Sequence, residues 1–308
     1  MPIQDEKKVF MFDENSKLAE LIGIILGDGN VYYSRGRKYL LRISSNQAEE
    51  VRYRYYTKSL MEDIFNFTPK IYRKKNKNGI DLVIYSKLII ESLIGTGIIP
   101  GDKVKNQVSV PEWIKKSKDF QIGCLRGLFD TDGSIYLRNT QHSFGLNFKN
   151  GSLALIKDFK EMCENINVNT QQIPKPKIYH NPNTSIKYKA FQITIENKYE
   201  ISKFLYQVRP KKWDFRAKLI GLALLLFNNS KTRIKIKNEL YKQFHDKKIH
   251  FSREYETFLT NLCEKCHLCV NKQNIINSIK NALSDKRRRK NKLNFYGINV
   301  IKDLEMII

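Results

Sequence analysis

The chain repeats itself, and the repeat limits the folds it can adopt. Leu21-Ile22-Gly23-Ile24-Ile25-Leu26-Gly27-Asp28-Gly29 aligns with Leu125-Arg126-Gly127-Leu128-Phe129-Asp130-Thr131-Asp132-Gly133. Further on, Pro69-Lys70-Ile71-Tyr72 recurs as Pro176-Lys177-Ile178-Tyr179. A period of about a hundred residues is too long for a solenoid unit and points to a duplicated domain. The 308 residues leave room for two such halves, 1–115 and 116–229, and an extension over 230–308.

Both halves predict the same succession of elements. An apolar helix comes first, over Lys17–Leu26 or Gln121–Phe129, with N-caps at Asn15 or Ser16 and at Ser117. A hairpin follows, with strands at Val31–Ser34 and Tyr39–Ser44, and then at Ser134–Leu137 and Phe144–Lys149. Next come a helix (Gln47–Phe65, Leu153–Asn165), a second hairpin (Lys70–Lys74 with Ile80–Tyr85, Lys177–Tyr179 with Tyr188–Ile195) and a short helix (Lys87–Leu93, Tyr199–Tyr206). The strands alternate, placing Leu41, Ile43, Ile71, Leu82 and Ile84 on one face and Arg42, Ser44, Lys70, Tyr72 and Lys74 on the other. In the second half Leu146, Phe148, Ile178, Ile193 and Ile195 likewise oppose Asn147, Lys149, Lys177, Tyr179, Gln192 and Thr194. The expected class is α+β: two pseudo-symmetric repeats, each a four-stranded antiparallel sheet with helices on one face and a basic face left open. An apolar helix at Phe215–Asn228 closes the second repeat, and a mainly helical extension without a counterpart in the first half follows.

Chemistry is expected where the two apolar helices end. Glycine inside a helix costs ~1 kcal/mol relative to alanine, so Gly23 and Gly27, and Gly123 and Gly127, need a reason. Four-residue spacing puts each pair on one stripe, where two helix backbones can approach closely. The C-terminal ends then meet, bringing Asp28 and Asp132 together, with Gly29 and Gly133 expected as left-handed caps. Each aspartate faces the negative end of its own helix dipole. Two carboxylates ~5 Å apart at an effective dielectric of ~20 repel by roughly 3 kcal/mol. A divalent cation reverses that sign, and hard oxygen ligands suit Mg2+ or Ca2+. One Asp-Gly after a helix is ordinarily a turn; two in equivalent places, each behind a glycine stripe, favour a site.

Charge narrows the partner. Lys and Arg number 55 against 31 Asp and Glu, a formal net charge of +24. A solvated basic surface explains part of that excess, and a polyanion, nucleic acid first, explains the whole of it. No apolar run is long enough to span a bilayer, the N-terminal residues have no signal-peptide character, and no membrane partner is expected. Five cysteines without a secretion signal suit a reducing interior, a prokaryotic cytoplasm (nucleoid) or an organelle matrix.

The segment Leu125–Gly133 resembles a near-consensus LAGLIDADG motif, and Leu21–Gly29 a looser copy with Leu26 at the earlier acidic position. The resemblance to double-motif LAGLIDADG homing endonucleases covers about Leu18 to Asn228. It implies αββαββα repeats with saddle-shaped sheets along the major groove of a double-stranded DNA target. It also implies that Asp28 and Asp132, with the carbonyls of Gly27 and Thr131, bind metal across the minor groove. Such a monomer uses Mg2+ to cut both strands with short 3′ overhangs, and Ca2+ supports binding without cleavage. A basic residue near the end of each repeat assists in this family: Lys103, with Lys105 close behind, and Lys211 or Lys212. Ser45 and Asn150 stand where the family has a polar residue that positions water. Base and phosphate contacts are expected from Arg35, Arg37, Arg42, Lys70, Tyr72, Arg138, Lys149, Lys177 and Gln192. The alternatives are an intron RNA maturase and a DNA-binding transcription regulator on the same fold, neither of which cuts.

Two tail features count for less. Lys286–Lys292 is a basic run that can extend a phosphate footprint. Cys263, Cys266, His267 and Cys269 lie at helical spacings with Leu259, Leu262 and Val270, which favours core packing over zinc. Elemental analysis of the purified protein is expected to find no zinc; one equivalent would overturn the packing reading.

Overall fold

The computed structural model of the protein describes residues 12–34, 38–46, 50–74, 79–138, 143–180 and 187–212. The helix expected at Phe215–Asn228, the extension over 230–308 with its cysteines and basic run, and Arg35 and Arg37 lie outside the described residues. By contact these residues form two compact units: 12–134, 147–194 and 210–212 in the first, 135–146 and 195–209 in the second.

Element order follows the repeat. The first half runs α1 (Ser16–Gly27), β1 (Gly29–Ser34), β2 (Lys38–Asn46), α2 (Val51–Phe65), β3 (Lys70–Arg73), β4 (Gly79–Ile84) and α3 (Lys87–Gly95). A short helix that the sequence reading did not anticipate, α4 (Glu112–Lys115), lies in the connection. The second half runs α5 (Lys118–Asp132), β5 (Gly133–Arg138), β6 (Ser143–Asn150), α6 (Leu153–Asn165), β7 (Lys177–His180), β8 (Lys187–Ile195) and α7 (Lys198–Val208). The strands form two four-stranded antiparallel sheets, ordered β1-β2-β4-β3 and β5-β6-β8-β7. In the first sheet, Gly29 pairs with Ile43, Ile43 with Leu82, and Leu82 with Ile71.

Edge position changes one part of the expected pattern. Leu41, Ile43, Leu82 and Ile84 are buried as the alternation predicts, but Ile71 is 47% exposed and Ile178 60%. Both belong to edge strands, β3 and β7, and every residue of β3 is exposed. Alternation there marks a face of the sheet without marking burial, because an edge strand has a neighbour on one side only.

α1 and α5 form the centre of the first unit. The Asn15 side chain caps α1 by accepting the Leu18 N–H at 3.0 Å, and every residue from Leu18 to Leu26 is buried. α5 starts at Ser117 without a side-chain cap but carries Asp119 in its first turn, where the helix dipole favours an anion. The glycine stripes meet backbone to backbone. A Cβ on Gly127 would overlap the Glu20 carbonyl oxygen and come within 2.7 Å of the Ile24 nitrogen. One on Gly123 would overlap the Ser16 carbonyl, and one on Gly23 the Cys124 carbonyl. Main-chain atoms have no rotamer with which to yield, so these positions admit only hydrogen.

Gly29 and Gly133 are glycines for the same reason, which corrects their expected role as left-handed caps. Neither has positive φ; Gly133 is extended at φ −83°, ψ 157° and already belongs to β5. A Cβ on Gly29 would come within 2.5 Å of the Ile25 Cα, and one on Gly133 would overlap the Phe129 carbonyl oxygen. Close return of the strand over its own helix, with no special dihedral, demands the missing side chain.

The connection between the halves is pinned by polar contacts. Buried Asp158 accepts the Val110 N–H at 2.7 Å and pairs with Lys115 at 2.8 Å, while the Trp113 indole donates to the Thr96 carbonyl at 3.0 Å. Gly127→Ala is expected to destabilise the protein by at least ~1–3 kcal/mol, the cost of overpacking. Gly95→Ala, whose Cβ meets nothing within 4 Å, should be neutral or stabilising. Thermal unfolding of the two variants checks both.

Candidate active site

Because α1 and α5 touch along their glycine stripes, their last turns end side by side. Asp28 follows α1 directly, its N–H donating to the Ile24 carbonyl at 3.0 Å, and Asp132 is the final residue of α5. Burial pushes the Asp28 carboxyl up to about 7, and the charge of Asp132 adds to that, against the opposing pull of Lys212 and Lys103. Asp132 is also raised by burial, offset by an Asn150 amide that donates to its carboxylate at 2.8 Å and by the same two lysines. The repulsion expected between the two carboxylates is therefore present, and two cations answer it.

The first cation is Lys103, which the 101–108 loop delivers. Gly101 adopts φ +97°, a left-handed conformation that favours glycine, and its N–H donates to the Val31 carbonyl at 2.9 Å. The Asp102 side chain accepts the Val104 and Lys105 N–H groups at 3.0 Å each, tightening the turn. The Lys103 ammonium donates to the Gly27 carbonyl and lies 3.4 Å from that of Ile25. Burial lowers its pKa, while Asp132 and Asp28 raise it. Lys105 is exposed.

The second cation is Lys212. Its ammonium pairs with Glu50, the N-cap residue of α2, whose other oxygen accepts the Asn46 N–H at 2.8 Å. Lys211, its neighbour in the turn, instead holds its ammonium 5.6 Å over the Tyr56 ring. Both lysines donate their main-chain N–H groups to Asp130, at 2.8 Å and 3.0 Å. Asp130 is 1% exposed, and burial raises its carboxyl to about 8 despite those bonds.

Other expected residues divide between the site and its surroundings. Asn150 joins Asp132, whereas Ser45 donates its hydroxyl to the Ile80 carbonyl at 3.3 Å. Gly27 abuts the Thr131 side chain, whose hydroxyl donates to the Gly127 and Leu128 carbonyls at 2.9 Å each. Arg42, Lys70 and Tyr72 are exposed on the first sheet, and Lys177 is exposed on β7. Lys149 lies 3.3 Å over the Tyr179 ring, which stacks on Tyr188; Gln192 is half-buried on β8, and Arg138 ends β5. Sequence reasoning missed Asp130 and Glu50. Asp130 carried a signal, since it fills the motif position that Leu26 leaves apolar; Glu50 carried none.

Among the described residues no three His, Cys, Asp or Glu side chains cluster as a metal cage. A cation here would rest on Asp28, Asp132 and the carbonyls of Gly27 and Thr131. The chemistry of that set suits a hard divalent ion: oxygens only, two of them from carboxylates that burial and mutual repulsion keep short of positive charge. The Lys103 ammonium on the Gly27 carbonyl shows that positive charge is accepted there.

This electrostatics sets a pH dependence. The ordinary value for Asp28 is 3.8, and in the folded protein it is about 7, so folding retains a proton across that interval. The group costs nothing below the lower value, and its cost grows as pH rises and is complete above the upper one. In chelator, the Tm should fall between pH about 5 and about 8, with the raised Asp130 and Asp132 carboxyls adding to the fall, and Asp28→Asn should remove its own share of it. Mg2+ should raise the Tm more at the higher pH than at the lower. Thermal melts of both proteins with and without Mg2+ decide this, and a wild-type Tm that rises with pH in chelator would contradict it.

A family model describing a LAGLIDADG-like domain matches residues 119–209. No curated protein matches the chain. Among solved structures, the chain is similar to mesophilic variants of the homing endonuclease I-DmoI, at 18% identity over 63% of this chain and 94% of that one, with a TM-score of 0.41. I-DmoI in complex with DNA and Mn gives 18% identity, coverage of 63% and 96%, and a TM-score of 0.42. The meganuclease I-SmaMI bound to uncleavable DNA gives 10% identity, coverage of 78% and 99%, and a TM-score of 0.46. The family model thus covers the second motif copy from α5 to α7, and the first half repeats the same motif and order of elements.

Proposed function

We propose that the protein is a site-specific endonuclease that cuts both strands of double-stranded DNA across the minor groove and leaves short 3′ overhangs. One observation carries the reading: helices in backbone contact bring Asp28 and Asp132 together, half-buried, where burial first and then the charge of Asp132 raise the Asp28 carboxyl to about 7, with Lys103 and Lys212 beside it. A fold gains nothing from such a pair unless a cation joins it. Mg2+ held by Asp28, Asp132 and the carbonyls of Gly27 and Thr131 would supply an activated water and neutralise charge on the scissile phosphate.

The remaining residues bind and orient. Asn150 fixes the Asp132 carboxylate by its amide hydrogen bond. Lys103 and Lys212 set positive charge around the aspartates, where a phosphate would sit. A net charge of +24 supplies the salt-dependent attraction to the DNA backbone, and Arg42, Lys70, Tyr72, Lys149, Lys177 and Gln192 are the described side chains assigned to groove contacts. Both motif copies lie in one chain, so a monomer carries a complete site. A maturase or a regulator on this fold has no use for two opposed carboxylates.

Asp28→Asn and Asp132→Asn are each expected to abolish double-strand cleavage in Mg2+ while DNA binding in Ca2+ persists. The assay is cleavage selection on a random DNA library, followed by gel-shift on the selected site. Full cleavage by the doubly substituted protein would sink the assignment.

A further inference from the structure

Asp130 has no part in the chemistry above, yet its surroundings are specific. A carboxylate this deeply buried costs several kcal/mol unless it is hydrogen-bonded or paired. Both of its oxygens are taken by main-chain donors from a distant segment: Oδ2 by the Lys211 N–H at 2.8 Å and Oδ1 by the Lys212 N–H at 3.0 Å. The turn so held presents Lys212, whose ammonium pairs with Glu50, lies 5.9 Å over the Tyr53 ring and draws down the carboxyls of Asp28 and Asp132. Lys211, one residue away, points to Tyr56 instead.

The first half does this differently. Leu26 stands where Asp130 does and is 3% exposed, packed as a core residue. Lys103 is held by its own ammonium on the Gly27 and Ile25 carbonyls. The Lys212 turn is therefore seated by a carboxylate within the motif helix, and the Lys103 turn by main-chain bonds of its own loop and by its ammonium.

We propose that Asp130 is a positioning residue that seats the Lys211–Lys212 turn so that Lys212 serves the paired aspartates, with Glu50 holding the ammonium from the α2 side. The proposal rests on the nuclease reading of the site. It also separates the two neighbouring lysines: Lys212 acts at the reacting phosphate and Lys211 does not.

Asp130→Leu is the direct test, because it installs the residue of the first half, keeps the position apolar and removes both acceptors. Hydrogen exchange at the Lys211 and Lys212 amides, slow in the wild type, should accelerate. Single-turnover cleavage in Mg2+ should slow roughly 10- to 100-fold, as small misplacements of a catalytic group do. DNA affinity in Ca2+ should stay unchanged. Lys212→Met should slow cleavage similarly, and adding Asp130→Leu to it should slow it no further, whereas on a Lys103→Met background Asp130→Leu keeps its full effect. Asp130→Asn retains one acceptor and should give an intermediate rate, which keeps the test open if the leucine variant fails to fold. Wild-type cleavage by Asp130→Leu, a further loss on the Lys212→Met background, or unaltered amide exchange would each overturn the proposal. Wild-type protein that cuts no DNA would instead overturn the nuclease reading, and amide exchange would still decide whether Asp130 holds the turn.

Discussion

Everything at the candidate site depends on the contact between the backbones of α1 and α5. Gly23, Gly123 and Gly127 let carbonyl oxygens of one helix take the space where side chains of the other would stand, and Gly27 makes room for the Thr131 side chain. The two helix ends cannot then be far apart, and whatever residues occupy those ends must face each other. Placing an aspartate at each end costs energy twice, through the helix dipole and through the opposite carboxylate. Burial raises both carboxyls, and at Asp28 the charge of Asp132 adds to that. Two lysines from separate loops offset part of it, and both loops are anchored to do so, one at Val31 and the other at Asp130.

Much of this was legible in the sequence, because it follows from periodicity and from the chemistry of single residue types. Helices, strands and their order were readable in both halves, since each half corroborates the other. The glycine stripe identified the helix contact, and the motif ends identified the aspartates. What escaped was whatever depends on neighbours far away in the chain. Ile71 and Ile178 alternate like core residues yet sit on edge strands, and strand order is not a local property. Gly29 and Gly133 look like caps, but closeness to Ile25 and Phe129 explains them. Lys211 and Lys212 are indistinguishable as letters; only Glu50, which precedes α2, and Tyr53 and Tyr56 on it sort them. Ser45 and Asn150 occupy matching strand ends, yet the short serine turns to the Ile80 carbonyl while the longer asparagine reaches Asp132.

The duplication is also less symmetric than its motifs suggest, and the asymmetry bears on how the halves recognise each other. At the helix contact Glu20 is 2% exposed and meets Arg126 at 2.6 Å, while the Tyr56 hydroxyl donates to its other oxygen at 2.6 Å. A buried carboxylate that loses its cation is destabilising by roughly 3–5 kcal/mol. In the repeat register, Ile22 takes the place of Arg126 and Cys124 the place of Glu20. An α1 packed on the α1 of a second copy would bury two glutamates with no arginine opposite either. An α5 packed on another α5 would bury two arginines against cysteines. The glycine stripes differ as well: in the same register Gly23 matches Gly127, but Gly27 falls on Thr131 and Gly123 on Ala19. The Glu20–Arg126 pair and the offset stripes both favour α1 against α5 over either helix against its own kind.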